Sequence, residues 1–249
     1  MKGFVVIIVN EFVLSNRLKT VANEIPGGSR IADIGSDHAY LPCYAMLTGL
    51  ITYAVAGEVN EGPFQSAKNQ VEKLDLTDRI KVKKGNGLEV IEKGEVNVIT
   101  IAGMGGPLIS EILEAGKDKL NEIERLILQP NIGARSIRLW LIENEWEIIK
   151  EHVLEEDQKI YEVLVAERGN PLAPYHNKNN IESELLLGPF LSKEKNEVFK
   201  KKWEHELSKW KKIIKQMDQA VQNEDSYRKR EELTRKIQMV EEVISNEIS

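Results

Sequence analysis

The sequence predicts an α/β protein, with a mostly parallel β-sheet covered by helices and followed by a separate helical segment. Short runs of β-branched residues alternate with stretches of helical periodicity up to about residue 143, as in parallel sheets that carry helices on both faces. Two strand-like runs then follow each other directly. Beyond residue 180 the composition changes to Lys and Glu with regularly spaced apolar residues.

The parallel part of the sheet is preceded by a leader helix. Apolar positions from Leu14 to Ile25 follow helical spacing, and the helix breaker 26–28, Pro-Gly-Gly, ends the pattern. The predicted strands that follow are 30–34, 53–58, 80–82, 96–101 and 126–128. The predicted helices between and after them are 40–48, 63–74, 107–114 and 134–143.

The last two predicted strands, 146–154 and 159–167, are joined by four residues, which leaves no room for a crossover helix. They are therefore expected to form an antiparallel hairpin. A parallel sheet that ends in one antiparallel hairpin is typical of class I methyltransferases more than of dehydrogenases. This is an analogy at the level of the fold.

The C-terminal part begins with a segment rich in Pro and Asn, 169–180, which reads as a linker. Apolar residues then recur every three or four positions from Phe199 to Val221 and again from Leu233 to Ile244, with a break near 222–226. The pattern predicts two helices folded back on each other.

Composition excludes several classes of protein. The chain is 41% hydrophobic and 30% charged, as in ordinary globular proteins. The single cysteine, Cys43, cannot form an internal disulfide, and no Cys/His cluster has zinc spacing, so we expect a cytoplasmic protein without a metal. The apolar run 3–9 is too short to span a membrane and lacks a signal-peptide cleavage site, so we expect no membrane association.

Charge is distributed unevenly, although the whole chain carries a net −6. The segment 193–215 holds nine lysines and four glutamates, a net +5, interleaved with Trp203 and Trp210. Such a helix could grip an RNA backbone. The alternative is that the tryptophans pack a coiled coil and the lysines only solvate its outer face. The lysines singled out as RNA contacts are Lys200, Lys201, Lys202 and Lys211.

The turn after the first strand has an unusual composition. The stretch DIGSDHAYLP, 33–42, keeps one glycine of the dinucleotide fingerprint GxGxxG, Gly35, and places Asp37 where the second would stand. A carboxylate there would repel the phosphates of NAD or a nucleoside triphosphate. S-adenosylmethionine (SAM) has no phosphate and a positive sulfonium, so it is compatible with Asp37. The alternative is that Asp37 only caps the helix.

Further polar or glycine-rich positions follow the next strands in order. Glu58 ends the second strand, where an acidic residue binds ribose hydroxyls. Asn86 could bond an adenine edge or merely form a turn. The glycines of IAGMGG, 101–106, leave room for a flat substrate or form a loose turn, and LQPN, 128–131, ends the fifth strand. Together these positions predict a site at the carboxyl edge of the sheet.

Eight segments of the chain carry a more specific resemblance. They are LSNRLKTVA, ADIGSDHAYLP, AGEVNEGPFQSAK, GNGLEVI, TIAGMGG, LILQPN, YEVLVAE and LLGPFLSKEKN. The series, from Leu14 to about Trp203, resembles the bacterial tRNA (adenine-22 N1)-methyltransferases, the TrmK-like family. The resemblance implies a Rossmann-like class I SAM-dependent methyltransferase domain followed by a C-terminal helical coiled-coil domain, with SAM as methyl donor and tRNA as substrate.

The expected organisation follows from this resemblance and from the patterns above. Residues 1–12 are an N-terminal extension outside the resemblance, and 13–168 form the SAM-binding catalytic domain. Residues 169–183 are the linker and 184–249 an antiparallel coiled coil. We expect a monomer.

The resemblance also implies a set of site residues. Asp37 is the catalytic candidate, either holding the exocyclic amine of adenine or stabilising the cationic product. The expected cofactor contacts are Asp33, Gly35, Ser36, His38, Glu58, Val59, Asn86, Gly87 and Gly103. The expected substrate contacts follow from positions in the predicted site rather than from the resemblance; besides the four lysines they are Arg17, Tyr40, Met104, Gly105, Gln129, Pro130 and Asn131. The alternatives are that Arg17 lies on a solvated helix face and that Met104 packs in the core. Relatives have Asp where Asn86 stands here, and an amide can still bond adenine.

Two other functions remain open from the sequence alone. The protein could methylate a small molecule or a protein, with the lysine-rich tail as a dimerisation arm. Alternatively, it could be a non-catalytic RNA-binding protein that kept the fold. Salt-dependent RNA binding would argue against the first of these, and SAM binding against the second.

Overall fold

The computed structural model describes residues 14–176, 181–218 and 224–245. The expected N-terminal extension and part of the expected linker, 177–180, lie outside the described residues.

The sheet contains seven strands in the order β3-β2-β1-β4-β5-β7-β6. Their bounds are β1 Ser29–Ile34, β2 Ile51–Glu58, β3 Ile80–Lys84, β4 Val98–Gly105, β5 Arg125–Ile132, β6 Trp146–Glu156 and β7 Lys159–Arg168. Strands β1 to β5 pair in parallel, and β7 pairs antiparallel with β5. The prediction of a parallel sheet that ends in an antiparallel hairpin is confirmed.

Helices connect the parallel strands and form the C-terminal part. Their bounds are α1 Asn16–Asn23, α2 Tyr40–Leu47, α3 Glu61–Lys73, α4 Gly106–Ala115, α5 Ala134–Glu143, α6 Glu182–Leu187, α7 Leu191–Glu194, α8 Glu197–Met217 and α9 Glu224–Ser245. Short 3-10 helices span Gly87–Val90 and Lys117–Lys119. Helices α6 and α7 were not predicted, because six and four residues are too few to show a helical period.

The central strands are almost entirely apolar because helices cover both faces of the parallel sheet. Ile31 and Ala32 on β1 and Val98, Ile99 and Ile101 on β4 are all buried. This apolar centre holds the carboxyl ends of the strands in fixed register, so that residues following neighbouring strands come together at one edge.

The described residues form two compact units. The first comprises the described residues of Met1–His152 and Tyr161–Pro171, and the second those of Val153–Ile160 and Leu172–Ser249. The tip of the β6–β7 hairpin therefore belongs to the second unit, whereas the sequence suggested that it would stay with 13–168. The physical reason is apolar packing, because Val153 packs against the same buried cluster as Phe199.

Within the second unit, α8 and α9 pack against each other. Trp203 of α8 and Val240 of α9 share one apolar cluster, and Asp218 at the end of α8 pairs with Arg230 near the start of α9. The two helices therefore run in opposite directions.

Within the first unit, a buried ion cluster ties α5 to the hairpin. The guanidinium of Arg138 donates to Glu151 of β6, with Nε–Oε1 at 2.8 Å, and to Glu162 of β7, with Nη2–Oε2 at 2.7 Å. All three side chains are buried. Breaking a buried ion pair is strongly destabilising because it leaves charge in a poorly polarisable interior.

We predict that Arg138→Met lowers the free energy of unfolding by about 3–5 kcal/mol, since it removes the positive charge between two buried carboxyls. Urea unfolding measures the change. Lys68→Met is the control, because its 3.9 Å pair with Glu72 is solvent-exposed and contributes at most about 1 kcal/mol. Equal losses in the two variants would contradict the prediction.

Candidate cofactor and substrate site

A cleft of about 540 Å³ lies in the first unit at the carboxyl ends of β1, β2 and β4. Most of the predicted site residues line it. Those present are Arg17, Asp33, Gly35, Ser36, Asp37, Tyr40, Glu58, Val59, Asn86, Gly87, Gly103 and Met104. Its position is where open α/β sheets bind ligands.

Asp33 is the penultimate residue of β1 and is 4% exposed. Its strand neighbour Thr100 donates to Asp33 Oδ1 at 2.7 Å, and Ser36 donates to Asp33 Oδ2 at 2.5 Å. Burial raises the pKa of Asp33 to about 6, although both hydrogen bonds lower it. The sequence analysis missed Thr100, whose one signal is a hydroxyl inside the apolar strand VITIA.

Glu58 ends β2, next to β1, and is also buried. Burial raises the pKa of Glu58, and its Oε1 accepts a hydrogen bond from the backbone N–H of Asp37. In the described part of the chain, no Lys or Arg side chain pairs with Asp33 or Glu58. The cleft thus contains two buried carboxyl groups whose charges are not balanced by a neighbouring Lys or Arg.

The turn between β1 and α2 has tightly defined backbone geometry. Gly35 has a φ of +71°, and a Cβ added there would lie 2.1 Å from Met104 Cε. Asp37 and Ala39 both have a φ of +55°. The N-cap of α2 is Ala39, which makes no side-chain capping bond. Helix capping, the alternative reading of Asp37, is therefore absent from this structure.

The side chain of Asp37 is 69% exposed and lines the cleft. His38 Nε2 lies 3.7 Å from Asp37 Oδ1, and the His38 ring stacks on Tyr40 with centroids 5.1 Å apart. His38 is the one predicted cofactor contact outside the lining of the cleft, and in the described residues it lies beside Asp37 instead.

Asn86 and Gly87 begin the turn after β3. The backbone N–H of Asn86 donates to Glu89 Oε2 at 3.0 Å, and Gly87 has a φ of +54°. A Cβ on Gly87 would lie 2.9 Å from the Ile112 side chain, so only glycine fits comfortably. Val59, which follows Glu58, is 54% exposed and offers an apolar surface in the cleft.

The ends of β4 and β5 are joined by side-chain hydrogen bonds. Gln129 accepts from the backbone of Gly103 and from Arg17, and Asn131 Nδ2 donates to the Gly103 carbonyl at 2.7 Å. Gln129 and Pro130 are buried, whereas Asn131 is exposed. Gln129 was expected to contact substrate, but its side chain lies inside the protein because these partners hold it there. Gly105 ends β4 and Asn131 lies near the end of β5. Neither residue lines the cleft, but Asn131 bonds Gly103, which does.

The four predicted RNA-contacting lysines lie on α8 in the second unit. Lys200 pairs with Glu197 at 3.1 Å and Lys201 with Glu155 at 2.7 Å, both within that unit. Lys211 pairs with Glu241 at 2.6 Å, and Lys202 Nζ lies 4.8 Å from the centre of the Trp203 ring. Trp203 is buried in the apolar cluster, so the packing interpretation holds for this tryptophan.

The described residues contain neither a candidate membrane-spanning helix nor a candidate metal site. None of the helices in that part of the chain is long and apolar enough to cross a membrane. Among the same residues, no group of three or more His, Cys, Asp or Glu side chains could hold a metal ion.

Comparison with known proteins identifies the family. The model of the TrmK family, described as tRNA (adenine(22)-N(1))-methyltransferase, matches residues 31–242. The chain is 55% identical over 238 residues to the tRNA (adenine(22)-N(1))-methyltransferase of Bacillus subtilis (strain 168), covering 96% of this chain and 100% of that protein. The chain belongs to the TrmK family.

Solved structures of similar proteins share the fold of this chain over almost its whole length. The crystal structure of B. subtilis TrmK matches with a TM-score of 0.89 at 55% identity, covering 94% of this chain and 99% of that chain. A Streptococcus pneumoniae structure in complex with S-adenosyl-L-methionine matches with a TM-score of 0.78 at 42% identity, covering 93% and 100%. The predicted family, enzyme class and cofactor are confirmed.

We predict that Asp33→Asn stabilises the ligand-free protein near pH 7.5. Burial raises the pKa of Asp33 from its usual 3.8 to about 6 in the folded state, so the folded state binds the proton more tightly than the unfolded chain. The stability from this proton is complete below pH 3.8 and is lost as pH rises through 6. Asn avoids that loss, which amounts to at most about 3 kcal/mol.

Thermal unfolding at pH 4 and pH 7.5 checks this prediction. The advantage of Asp33→Asn over the wild type is expected at pH 7.5 and should shrink at pH 4. The exposed Asp78→Asn provides the control for the loss of one surface charge. An Asp33→Asn effect of the same size at both pH values would refute the assignment.

Proposed function

We propose that this protein transfers the methyl group of SAM to N1 of adenine 22 in tRNA. The observation that carries the proposal is the pair of buried carboxyls, Asp33 and Glu58, which have no Lys or Arg partner among the described residues. Such a cleft favours a cationic ligand over a phosphate-bearing one. The proposed acceptor, N1 of adenine 22, is the one named in the description of the family.

The residues of the cleft fit SAM. When bound, SAM supplies a methyl group on a positively charged sulfur, which adenine N1 takes through its in-plane lone pair. Asp33 would balance the positive charge of the SAM sulfonium. Gly35 and Ser36, in the turn that follows β1, would also contact the cofactor. Glu58 would accept hydrogen bonds from ribose hydroxyls. Val59, Asn86 and Gly87 would hold the adenine ring of the cofactor.

We assign Asp37 to the target adenine of the tRNA rather than to SAM. Its carboxylate is exposed in the cleft, while Glu58 holds its backbone N–H. Methylation at N1 leaves a positive charge on the adenine, and a fixed carboxylate stabilises charge as it develops. The same group can accept a hydrogen bond from the exocyclic amine and so orient the base.

The target base needs a place outside its stack in the folded RNA. Tyr40 and Met104 line the cleft and offer surfaces against which a flat base can pack. Gly105 follows Met104 on β4, and Pro130 and Asn131 lie near the end of the neighbouring strand β5. We assign these residues to the adenine pocket.

Arg17 is suited to an RNA phosphate. It lines the cleft from α1, half-buried, with its guanidinium 5.5 Å from the centre of the Tyr161 ring. Its only hydrogen bond among the described residues goes to Gln129. The other N–H groups of the guanidinium can therefore donate to an anion.

The second unit would grip the RNA. We propose that α8 and α9, within residues 184–249, form an antiparallel coiled coil and that Lys200, Lys201, Lys202 and Lys211 contact phosphates. The exposed pairs of Lys200, Lys201 and Lys211 with glutamates are weak, so exchange of a glutamate for a phosphate costs little free energy. Residues 13–168, without the hairpin tip 153–160, would supply the catalytic domain and 169–183 the linker. A monomer acting in the cytoplasm is part of the proposal.

The proposal predicts a specific product. Purified protein is incubated with SAM carrying a radiolabelled methyl group and unmodified tRNA transcripts, with a transcript that has guanine at position 22 as control. We expect labelled 1-methyladenosine from the first transcript and none from the second. Label in neither tRNA, with SAM still bound, would refute the proposed acceptor.

The negative charge of Asp37 is predicted to matter for methyl transfer more than for SAM binding. Asp37→Asn keeps the shape and tolerates a φ of +55°, but it removes the negative charge. We expect the rate of methyl transfer to fall by about 10²- to 10³-fold, the usual range for losing one charge-stabilising group. The dissociation constant for SAM, measured by calorimetry, should change far less. Losses of equal size would make Asp37 a cofactor ligand only.

A further inference from the structure

Gln129 is a fully buried amide at the end of β5, 0% exposed. Its Oε1 accepts two hydrogen bonds, from Arg17 Nη1 at 2.5 Å and from the backbone N–H of Gly103 at 3.0 Å. Its Nε2 donates to the Pro130 carbonyl at 2.9 Å. One side chain thus connects α1, β4 and β5.

The Gly103 peptide is held from both sides. Gln129 takes its N–H, and Asn131 Nδ2 donates to its carbonyl. Gly103 has a φ of +81°, and a Cβ there would lie 3.6 Å from Arg17 Nη1. The backbone that borders the adenine pocket and the guanidinium that faces the cleft are therefore adjacent, and both bond to the same oxygen atom.

Arg17 is oriented by the same oxygen. Its guanidinium lies near the Tyr161 ring, and it makes no hydrogen bond in the described residues other than that to Gln129. Without the Gln129 oxygen, the arginine side chain, with three methylene groups before its guanidinium, would be free to adopt other rotamers. The Gly103 N–H would also lose its protein acceptor, which weakens the fixed geometry.

We infer that Gln129 is a positioning residue that fixes Arg17 and Gly103 relative to each other and touches no substrate itself. A phosphate bound by Arg17 is then held at a set distance from the pocket for the target base. This deepens the proposed function and rests on it, because the phosphate and the base belong to the same tRNA. Arg17 and Gln129 should act as one unit.

A double-mutant cycle tests the inference. The variants are Gln129→Met, Arg17→Met and the double variant, and kcat/KM for unmodified tRNA, the SAM dissociation constant and Tm are measured for each. We expect either single change to lower kcat/KM about 10- to 100-fold, with the loss in the double variant no larger than that of the more impaired single variant. SAM affinity should change less than threefold.

Two further variants separate positioning from general stability. Gln129→Glu keeps an acceptor for Arg17 and Gly103 but loses the N–H that donates to the Pro130 carbonyl, so it should recover part of the kcat/KM lost in Gln129→Met. Asn144→Leu removes another buried amide, whose Nδ2 donates to the Trp140 carbonyl at 2.8 Å, and should lower Tm without changing kcat/KM.

The outcomes that overturn the inference are distinct. If Gln129→Met lowers Tm but leaves kcat/KM unchanged, or if the two single losses multiply in the double variant, Gln129 does not couple Arg17 to the pocket. If the wild type labels no tRNA, the proposed function fails and the inference fails with it.

Discussion

Two buried carboxyl groups, Asp33 and Glu58, have no Lys or Arg partner in the described chain and determine the electrostatics of the cleft. Strand register brings them together, because β1 and β2 are neighbours and Asp33 and Glu58 stand at their carboxyl ends. Hydroxyl donors from Thr100 and Ser36, and one backbone N–H, offset part of the desolvation. The apolar core, which stabilises the sheet, offsets the rest of the free energy lost by desolvating the two carboxyls. Sites of this kind give up stability for affinity toward a positively charged ligand.

The elements of the sheet could be predicted because each follows a simple period, two for strands and about 3.6 for helices. The sequence could not predict which side chains bond to each other across long separations in the chain. Thr100 looks like any strand residue until it is placed opposite Asp33, 67 positions earlier. Gln129 was recognised as a site residue, but whether its amide faced the cleft or the interior depended on Arg17 and Gly103. The two hairpin strands were predicted, but β6 extends to Glu156, into the predicted connection. That the tip packs on the cluster of Phe199 could not be inferred from the sequence of the hairpin alone.

The lysine-rich helix illustrates the same difference between composition and structure. Sequence gives a net +5 over 193–215 but says nothing about pairing. In the structure the candidate lysines lie against glutamates or over an indole ring. Those contacts orient the side chains without removing the excess positive charge. An exposed ion pair is worth at most about 1 kcal/mol, so the helix keeps the capacity to meet a polyanion.

The turn between β1 and α2 places two non-glycine residues, Asp37 and Ala39, in left-handed backbone conformations. Each such residue costs about 1–2 kcal/mol relative to a right-handed one. Ala39 has no polar side chain to offset that cost, so glycine would suit its backbone better. Glycine there would also lose a fully buried methyl group and add freedom to the unfolded chain, which together cost about as much as the strain it relieves. The same glycine would spread the directions in which the Asp37 carboxylate points, so alanine keeps the turn rigid at little net cost in stability.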